Sequence, residues 1–321
     1  MKRLVFLSVA LAALWAGYWF LQAHSLRGSL EAWFEERRGD GWEASYSDMS
    51  VRGFPNRLDV QFDDLILADP ERGTVWEAPF FQMFSLVYSP GHWIFAWPET
   101  QSVTTRDGTY RINSEGLRAS LVMEGDTFLR SNVEAVTLNV SGAASVAIAG
   151  LDLGVAVDEV KPRIVRLGLN AAGIAGKAGA MGPTGTVDAV SLRAEAAFDD
   201  IWTRDALKGA RPQPTALSIP LADYRAGDVQ LKATGDWDID GKGRLDGSGT
   251  LRAENWRDLL DRAEDNGDLP GEVTAILREM FGLIAGLSGN KKTLDLTFSF
   301  DKGRIALGII PLGKAPRLRF D

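Results

Sequence analysis

The sequence predicts a mainly β protein in which an N-terminal transmembrane helix leads into a long curved antiparallel sheet, a half-barrel or groove, with a few packed helices. Three observations carry this expectation. The run from Leu4 to Leu21 is apolar and uncharged; three stretches alternate apolar and polar residues on either side of turn sequences; and few segments repeat apolar residues at helical spacing. A chain of 321 residues can hold one large or two medium domains, each with a core. The expected division is an anchor with its continuing amphipathic helix over 1–38, an N-terminal β unit over 39–170, an Ala/Gly-rich loop over 171–190, and a C-terminal β unit over 191–321 with helices at 255–265 and 270–287.

The anchor is the strongest signal. At about 1.5 Å per residue, the 18 residues from Leu4 to Leu21 reach roughly 27 Å, close to the thickness of a hydrocarbon core. A cleaved signal peptide is the rival reading, but the run is longer than a usual signal core, and Ala23 and Ser25 make a mediocre cleavage site. Lys2 and Arg3 then stay cytoplasmic, and Trp15, Tyr18 and Trp19 form an aromatic belt at the far interface. Leu26, Leu30, Trp33, Phe34 and Arg37 continue at spacings of three and four up to Gly39, which predicts one helix over 4–38 whose outer part packs Trp33 and Phe34 on the folded body.

After the helix comes the stretch VRGFPNRLDV (51–60), which turns a corner into an alternating strand. Gly53 permits unusual dihedrals and Pro55 withholds a ladder donor, so the corner is expected to place Phe54 toward the core or the membrane-proximal helix, with Arg52 and Arg57 solvated. Leu58, Val60 and Phe62 share one face but Leu65 and Leu67 have the opposite parity, which predicts a β-bulge at Asp63-Asp64. In FFQMFSLVY (80–88) and HWIFAW (92–97) both parities are apolar, so both strands are expected to be covered on two sides.

Three hairpins follow from alternation and turn chemistry. Val103 and Thr105 return as Tyr110 and Ile112 around Asp107-Gly108; Val229 to Ile239 return as Leu245 to Ala253 around 240–243; Leu294 to Phe300 return as Ile305, Leu307 and Ile309 through a three-residue loop, Asp301-Lys302-Gly303. A short helix is expected over 198–207, with Asp199-Asp200 as its cap, and Asn255 is expected to cap another. The segment after Pro270 carries Val273, Ile276, Leu277, Met280, Ile284 and Leu287, widened by Phe281 and Leu283, and is expected to lie buried within the curve of a sheet.

Composition excludes several chemistries. With no Cys, the chain has no disulfide, thiolate nucleophile or zinc-thiolate site, and its two histidines, His24 and His92, are too few for a multi-His metal site. A net charge of −8 opposes nucleic acid and a broad electrostatic grip on an anionic membrane. Asp236-x-Asp238-x-Asp240-Gly241 begins like a calcium loop, but its twelfth position is Gly247 and its flanks alternate as strands, so it reads as a solvated hairpin. Residues 286–289 (GLSG) fall short of a nucleophile elbow and Gly241-Lys242-Gly243 reads as a turn. No catalytic, cofactor-binding or metal-binding residue is assigned, and an enzyme is not expected.

The basic N-terminus, single span, GFPNRLDV corner and C-terminal hairpin GDVQLKATGDWDIDGKGRLDGSGTLRAENW, followed by helices and RIALGIIPLGKAPRL, resemble a proteobacterial membrane-anchored periplasmic family, domain of unknown function 2125. A looser likeness reaches AsmA-like envelope proteins, thought to present apolar sheet grooves to lipid. These resemblances imply a single-pass bacterial inner-membrane protein with its C-terminal domain in the periplasm. The function expected is binding or hand-off of phospholipid or another apolar ligand in a groove lined by Phe80, Phe81, Phe84, Trp93, Phe95 and Trp97. The alternative is a non-catalytic structural or adaptor protein with an envelope protein partner; no cofactor and no nucleic acid are expected.

Overall fold

The computed structural model describes residues 1–143, 145–176, 188–207, 209–265, 267–287 and 290–320. Two compact units divide the chain: Met1–Met123 with Val133–Ser145, and Glu124–Asn132 with the chain from Val146 onward. Antiparallel strands dominate both, as the alternation predicts, and an N-terminal apolar helix precedes them.

The first unit is organised around α1 (Lys2–Gly39), which is continuous, as the spacing predicts. It ends one residue beyond expectation, and its left-handed cap is Gly41 (φ 86°) rather than Gly39. The Gly41 and Trp42 N–H groups donate to the Arg38 and Arg37 carbonyls, which satisfies the last turn. Its first part stands exposed at Leu4, Leu7, Leu11 and Leu14, whereas Trp19, Ala23 and Phe34 are buried. Trp19 therefore belongs to the protein interior and not to a lipid-facing belt. Trp33 is a second correction: 39% exposed, it lies under the Arg37 guanidinium at the surface while Phe34 alone enters the core.

Strands β1 (Glu43–Ser45) and β2 (Asp48–Arg52) both pair with β3 (Arg57–Asp69), which pairs with β4 (Thr74–Leu86). Phe34 sits 5.3 Å from the Phe62 ring and 4.8 Å from Tyr46, above Val60, Met49, Ala44 and Leu65. Alternation along β3 is what turns Leu58, Val60 and Phe62 to the helix together. Beyond β4 come β5 (Ser89–Ala96), β6 (Thr100–Thr105), β7 (Gly108–Glu115), β8 (Arg118–Glu124) and β9 (Thr127–Ser141). Here β4 pairs with both β5 and β6, β5 with β8, β6 with β7, and β7 with the Thr137–Ser141 part of β9.

The expected bulge on β3 is replaced by something more symmetrical. Burial does change parity, from Phe62 to Leu65, and Asp64 adopts φ 48°. Yet Asp63 pairs with Phe80 and Leu65 with Ala78, so no residue is inserted. Position 64 faces Pro79, which has no N–H to offer, and both strands reverse their faces at that one step. A one-sided bulge would have shifted the register; a matched pair of irregularities leaves it intact.

The second unit is a meander: β10 (Val146–Val157), β11 (Ile164–Gly176), β12 (Asp188–Phe198), β13 (Pro214–Ala226), β14 (Val229–Ile239), β15 (Leu245–Glu254), β16 (Thr293–Asp301), β17 (Arg304–Leu307) and β18 (Ile310–Lys314) each pair with the next. Residues 171–176, expected to open a loop, instead complete β11, and 188–190 begin β12; the intervening part of that segment lies outside the described residues. The helix expected over 198–207 is only a 3₁₀ turn at Asp205–Leu207, because Phe198 still pairs with Pro214 and Asp199 Oδ1 accepts the Gln213 N–H. The turn after β16 has two residues, not three: Asp301 pairs with Arg304, and Lys302 and Gly303 both have positive φ. Strand β17 ends at Leu307, which pairs with Ile310 around the turn of Gly308 (φ 57°) and Ile309, and Ile309 is left exposed there.

Helices α2 (Trp256–Asp265) and α3 (Gly271–Leu287) lie between β15 and β16 in sequence and cover the β14–β16 face with Trp256, Leu260 and Ala285 against Leu294 and Leu296. Asn255 does precede α2, but with φ 53° and its side-chain amide donating to the Asp228 carbonyl rather than accepting from the helix. The apolar sequence of α3 is not buried all round. Thr274 and Ala285 are enclosed, while Val273, Ile276 and Leu283 are exposed along the opposite side.

In this sheet the glycines of β14 and β15 make a slot for Trp237. A Cβ on Gly235 would come within 2.3 Å of the indole, and one on Gly249 within 2.8 Å, while the ring meets Phe300 edge-on at 5.6 Å. Gly235→Ala is therefore expected to destabilise the protein by about 1–3 kcal/mol through overpacking. Chemical denaturation of the single variant and of the same change combined with Trp237→Leu checks this: removing the indole should lower the cost but not abolish it, since the new Cβ would still lie 2.9 Å from the Gly249 Cα.

Candidate functional site

The six aromatics expected to line a groove sit on adjacent strands but do not share one face. In the β4–β5 ladder Met83 is opposite Phe95, Phe84 opposite Ile94 and Ser85 opposite Trp93. Alternation then puts Phe81, Trp93, Phe95 and Trp97 on the side that carries the Phe34 core, and Phe80 and Phe84 on the other. All six are half-buried.

On the helix side the rings are in contact. Phe81 and Phe95 stack at 6.2 Å, Phe81 meets Trp97 at 5.4 Å, and Phe95 meets Trp97 at 6.4 Å. Phe81 and Met83 pack directly against the buried cluster beneath α1, so this face begins as covered core and becomes half-exposed toward β5. It continues onto β8, where Ala119 is paired with Phe95 and Leu121 with Trp93. Trp76 joins from the other direction, 5.4 Å from Phe81, with its indole N–H donated to the buried Gln101 amide oxygen at 2.7 Å. Sequence reasoning missed Trp76 because its parity is opposite to that of Phe81; the matched reversal at Asp64 and Pro79 brings both to one face.

The opposite face has a different chemistry. The Arg57 guanidinium lies 5.5 Å from the Phe84 ring centre and bonds Asp59 at 3.0 Å. Arg57 and Phe84, with His92, Ile94, Ser85 and Leu86, line an open hollow of about 330 Å³. Phe84 thus joins a mixed cation-aromatic surface rather than an apolar groove.

The corner at 51–60 connects these strands to the helix. Phe54 is 54% exposed and meets the Trp19 ring edge-on at 5.5 Å and the Phe20 ring in a stacked arrangement at 6.0 Å. Two indole N–H groups secure the corner: Trp15 donates to the Pro55 carbonyl at 2.9 Å and Trp19 to the Arg57 carbonyl at 2.7 Å.

Two aspartates of the 236–240 motif hold the hairpin in place: Asp236 accepts the Ser218 hydroxyl at 2.6 Å, and Asp240 closes the turn by accepting the Lys242 and Arg244 backbone N–H groups and the Arg244 guanidinium, while Asp238 stands in the ladder opposite Asp246. The Arg244 side-chain bond, then its backbone bond, holds the Asp240 carboxyl down at about 2. Gly241-Lys242-Gly243 is the rest of that turn, and Ser288 and Gly289 of the GLSG stretch lie outside the described residues. No group of three or more His, Asp or Glu side chains placed to hold a metal ion occurs among the described residues.

Comparison with known proteins gives one family. The model of a family described as "Uncharacterized protein conserved in bacteria (DUF2125)" matches residues 19–316. No curated protein and no solved structure matches, so the wider likeness to AsmA-like proteins has no counterpart there.

The Asp240 turn has a pH signature. Its carboxyl protonates at about 2 in the folded chain against 3.8 as the ordinary value, so its stabilising contribution is complete above about pH 4 and is lost as the pH falls toward 2. Asp240→Asn should flatten that part of the acid-unfolding curve, as followed by circular dichroism, and leave the curve above pH 5 parallel to that of the parent chain.

Proposed function

We propose that this chain, which belongs to the DUF2125 family of bacterial proteins, is an inner-membrane-anchored periplasmic module that holds or hands off lipid on an apolar sheet face, without catalysis. The observation that carries the reading is the face running from the Phe34 core through Phe81, Phe95, Trp97 and Trp93 to Leu121: it is continuous with buried core yet half-exposed, beside a helix long and apolar enough to cross a membrane. Half-exposed stacked aromatics offer apolar contact at low conformational cost, as suits acyl chains. The scarcity of His and the absence of Cys support a non-catalytic role. Lys2 and Arg3 ahead of the span favour a cytoplasmic N-terminus and a periplasmic body.

The same packing supports a retained anchor. Trp19 and Ala23 form a buried cluster with Leu58 and Val87, so cleavage near Ala23 or Ser25 would strip side chains from the interior of the first unit. Intact-mass measurement of protein purified from membranes should give a chain that keeps residues 4–24; a mature N-terminus near Ser25 would contradict the anchor. Trp19→Ala is expected to cost about 3–5 kcal/mol.

Native mass spectrometry of the full chain tests the ligand. Phospholipid should be retained at a defined stoichiometry and lost from Phe95→Asp protein whose circular dichroism is unchanged; a lipid-free parent, or equal retention by the variant, counts against the site. An adaptor role is the second reading, supported by the exposed Val273, Ile276 and Leu283 of α3. Crosslinking from residues beside that stripe in intact membranes would recover an envelope protein if it holds.

A further inference from the structure

The tips of two hairpins lie against the same short stretch of α1. Phe54, in the β2–β3 turn, packs on Trp19 and Phe20, and Tyr88, in the β4–β5 turn, lines a surface hollow with Leu11, Leu14, Trp15 and Tyr18. These contacts fall inside the uncharged run from Leu4 to Leu21, not beyond it. From Lys2 to Trp15 the helix rises only about 20 Å, well short of the roughly 30 Å of a hydrocarbon core. A span that stopped where the folded body begins would therefore be too short.

Both tips are built for an apolar surrounding. Phe54 is 54% exposed and Tyr88 64%, next to Leu14, Tyr18 and Phe20, which are also exposed. The backbone of the first tip is unusually well satisfied. The Gly53 carbonyl accepts the Arg57 N–H, that of Pro55 the Trp15 indole, that of Asn56 the Val87 N–H, and that of Arg57 the Trp19 indole. In water such carbonyls need no protein partner, whereas at membrane depth each unpartnered one is costly. The Val87–Asn56 bond also ties the two tips to each other.

We infer that the Phe54 and Tyr88 turns form, with Trp15, Tyr18 and Phe20, a collar that sits in the lipid surface, so that the first unit is partly immersed in the leaflet from which it emerges. The partner is the lipid surface itself, reached by apolar side chains, in keeping with a chain of net charge −8. A collar at this depth makes up the missing length: the helix beyond Trp15 completes its crossing with hairpin tips beside it. This inference rests on the membrane-anchored reading of α1 and adds where the folded body lies relative to the bilayer.

The chain lacks cysteine, so single nitroxide labels can be placed without altering the background. Full-length Phe54→Cys, Tyr88→Cys, Leu7→Cys and Asp107→Cys proteins, each labelled and reconstituted into phospholipid vesicles, are compared by the ratio of oxygen to water-soluble nickel-chelate accessibility in electron paramagnetic resonance. Each tip is replaced singly, which leaves the other native. The Phe54 and Tyr88 sites should give ratios several-fold above that of the Asp107 turn and below that of Leu7. Ratios at both tips equal to that of Asp107, with Leu7 still deep, would overturn the collar and leave the anchor standing. A Leu7 label as accessible to nickel as Asp107 would overturn the anchor and the collar with it.

Discussion

The first unit depends on one arrangement: a helix that leaves the apolar run at its N-terminal end without a break and supplies core residues at the other. Phe34 fills the centre of the cluster formed by Val60, Phe62 and Met49, and Trp19 closes the lower end over Leu58 and Val87. The β2–β3 hairpin is short and would be marginal alone. Laid along α1, it gains a buried face and two indole bonds to its turn, and β4 and β5 then extend the same face outward.

That extension explains why the candidate site is half core and half surface. Helix α1 covers β3 and the near side of β4, and the aromatic rings beyond its edge are left partly open. The stacked Phe81–Phe95 pair and the tilted contacts of both with Trp97 fix the rings against one another, so the open part is a firm surface and not a loose collection of side chains. On the other side of the same strands Arg57 and Phe84 make a surface of mixed character, and a ligand would distinguish the two by its head and its tail.

Much of this was legible in the residues. The continuous helix, the antiparallel ladders and the return of Val229–Ile239 as Leu245–Glu254 follow from period and turn chemistry, which are local, although the first hairpin turns at Arg106-Asp107, one residue before the expected Asp107-Gly108, so that Val103 pairs with Tyr110. What escaped was non-local. Nothing near Asp64 says that Pro79 stands opposite and reverses its own strand, so the face shared by Trp76 and Phe81 could not be read from parity. Phe80 and Phe84 share their strand with Phe81, and two apolar parities in one strand do not announce which neighbour covers each. The helix expected after Phe198 failed for a similar reason: the pairing of Phe198 with Pro214, distant in sequence, outweighed a weak local preference. The single large apolar stripe expected on α3 splits into a packed side and an open one, a division set by how far α2 and β16 reach.

The unbroken course of α1 has a mechanical consequence. Domains hung from a membrane by a flexible linker sweep through many orientations and can meet partners anywhere within the linker's reach. As the anchor proposed above, the 38-residue helix would be both the tether and a structural beam of the first unit, with no swivel between them. The unit's azimuth and tilt are then inherited from the helix, and whatever it engages must approach from fixed directions. A longer or shorter α1 would not merely raise or lower the unit: each residue added would also rotate it by about 100° about the helix axis.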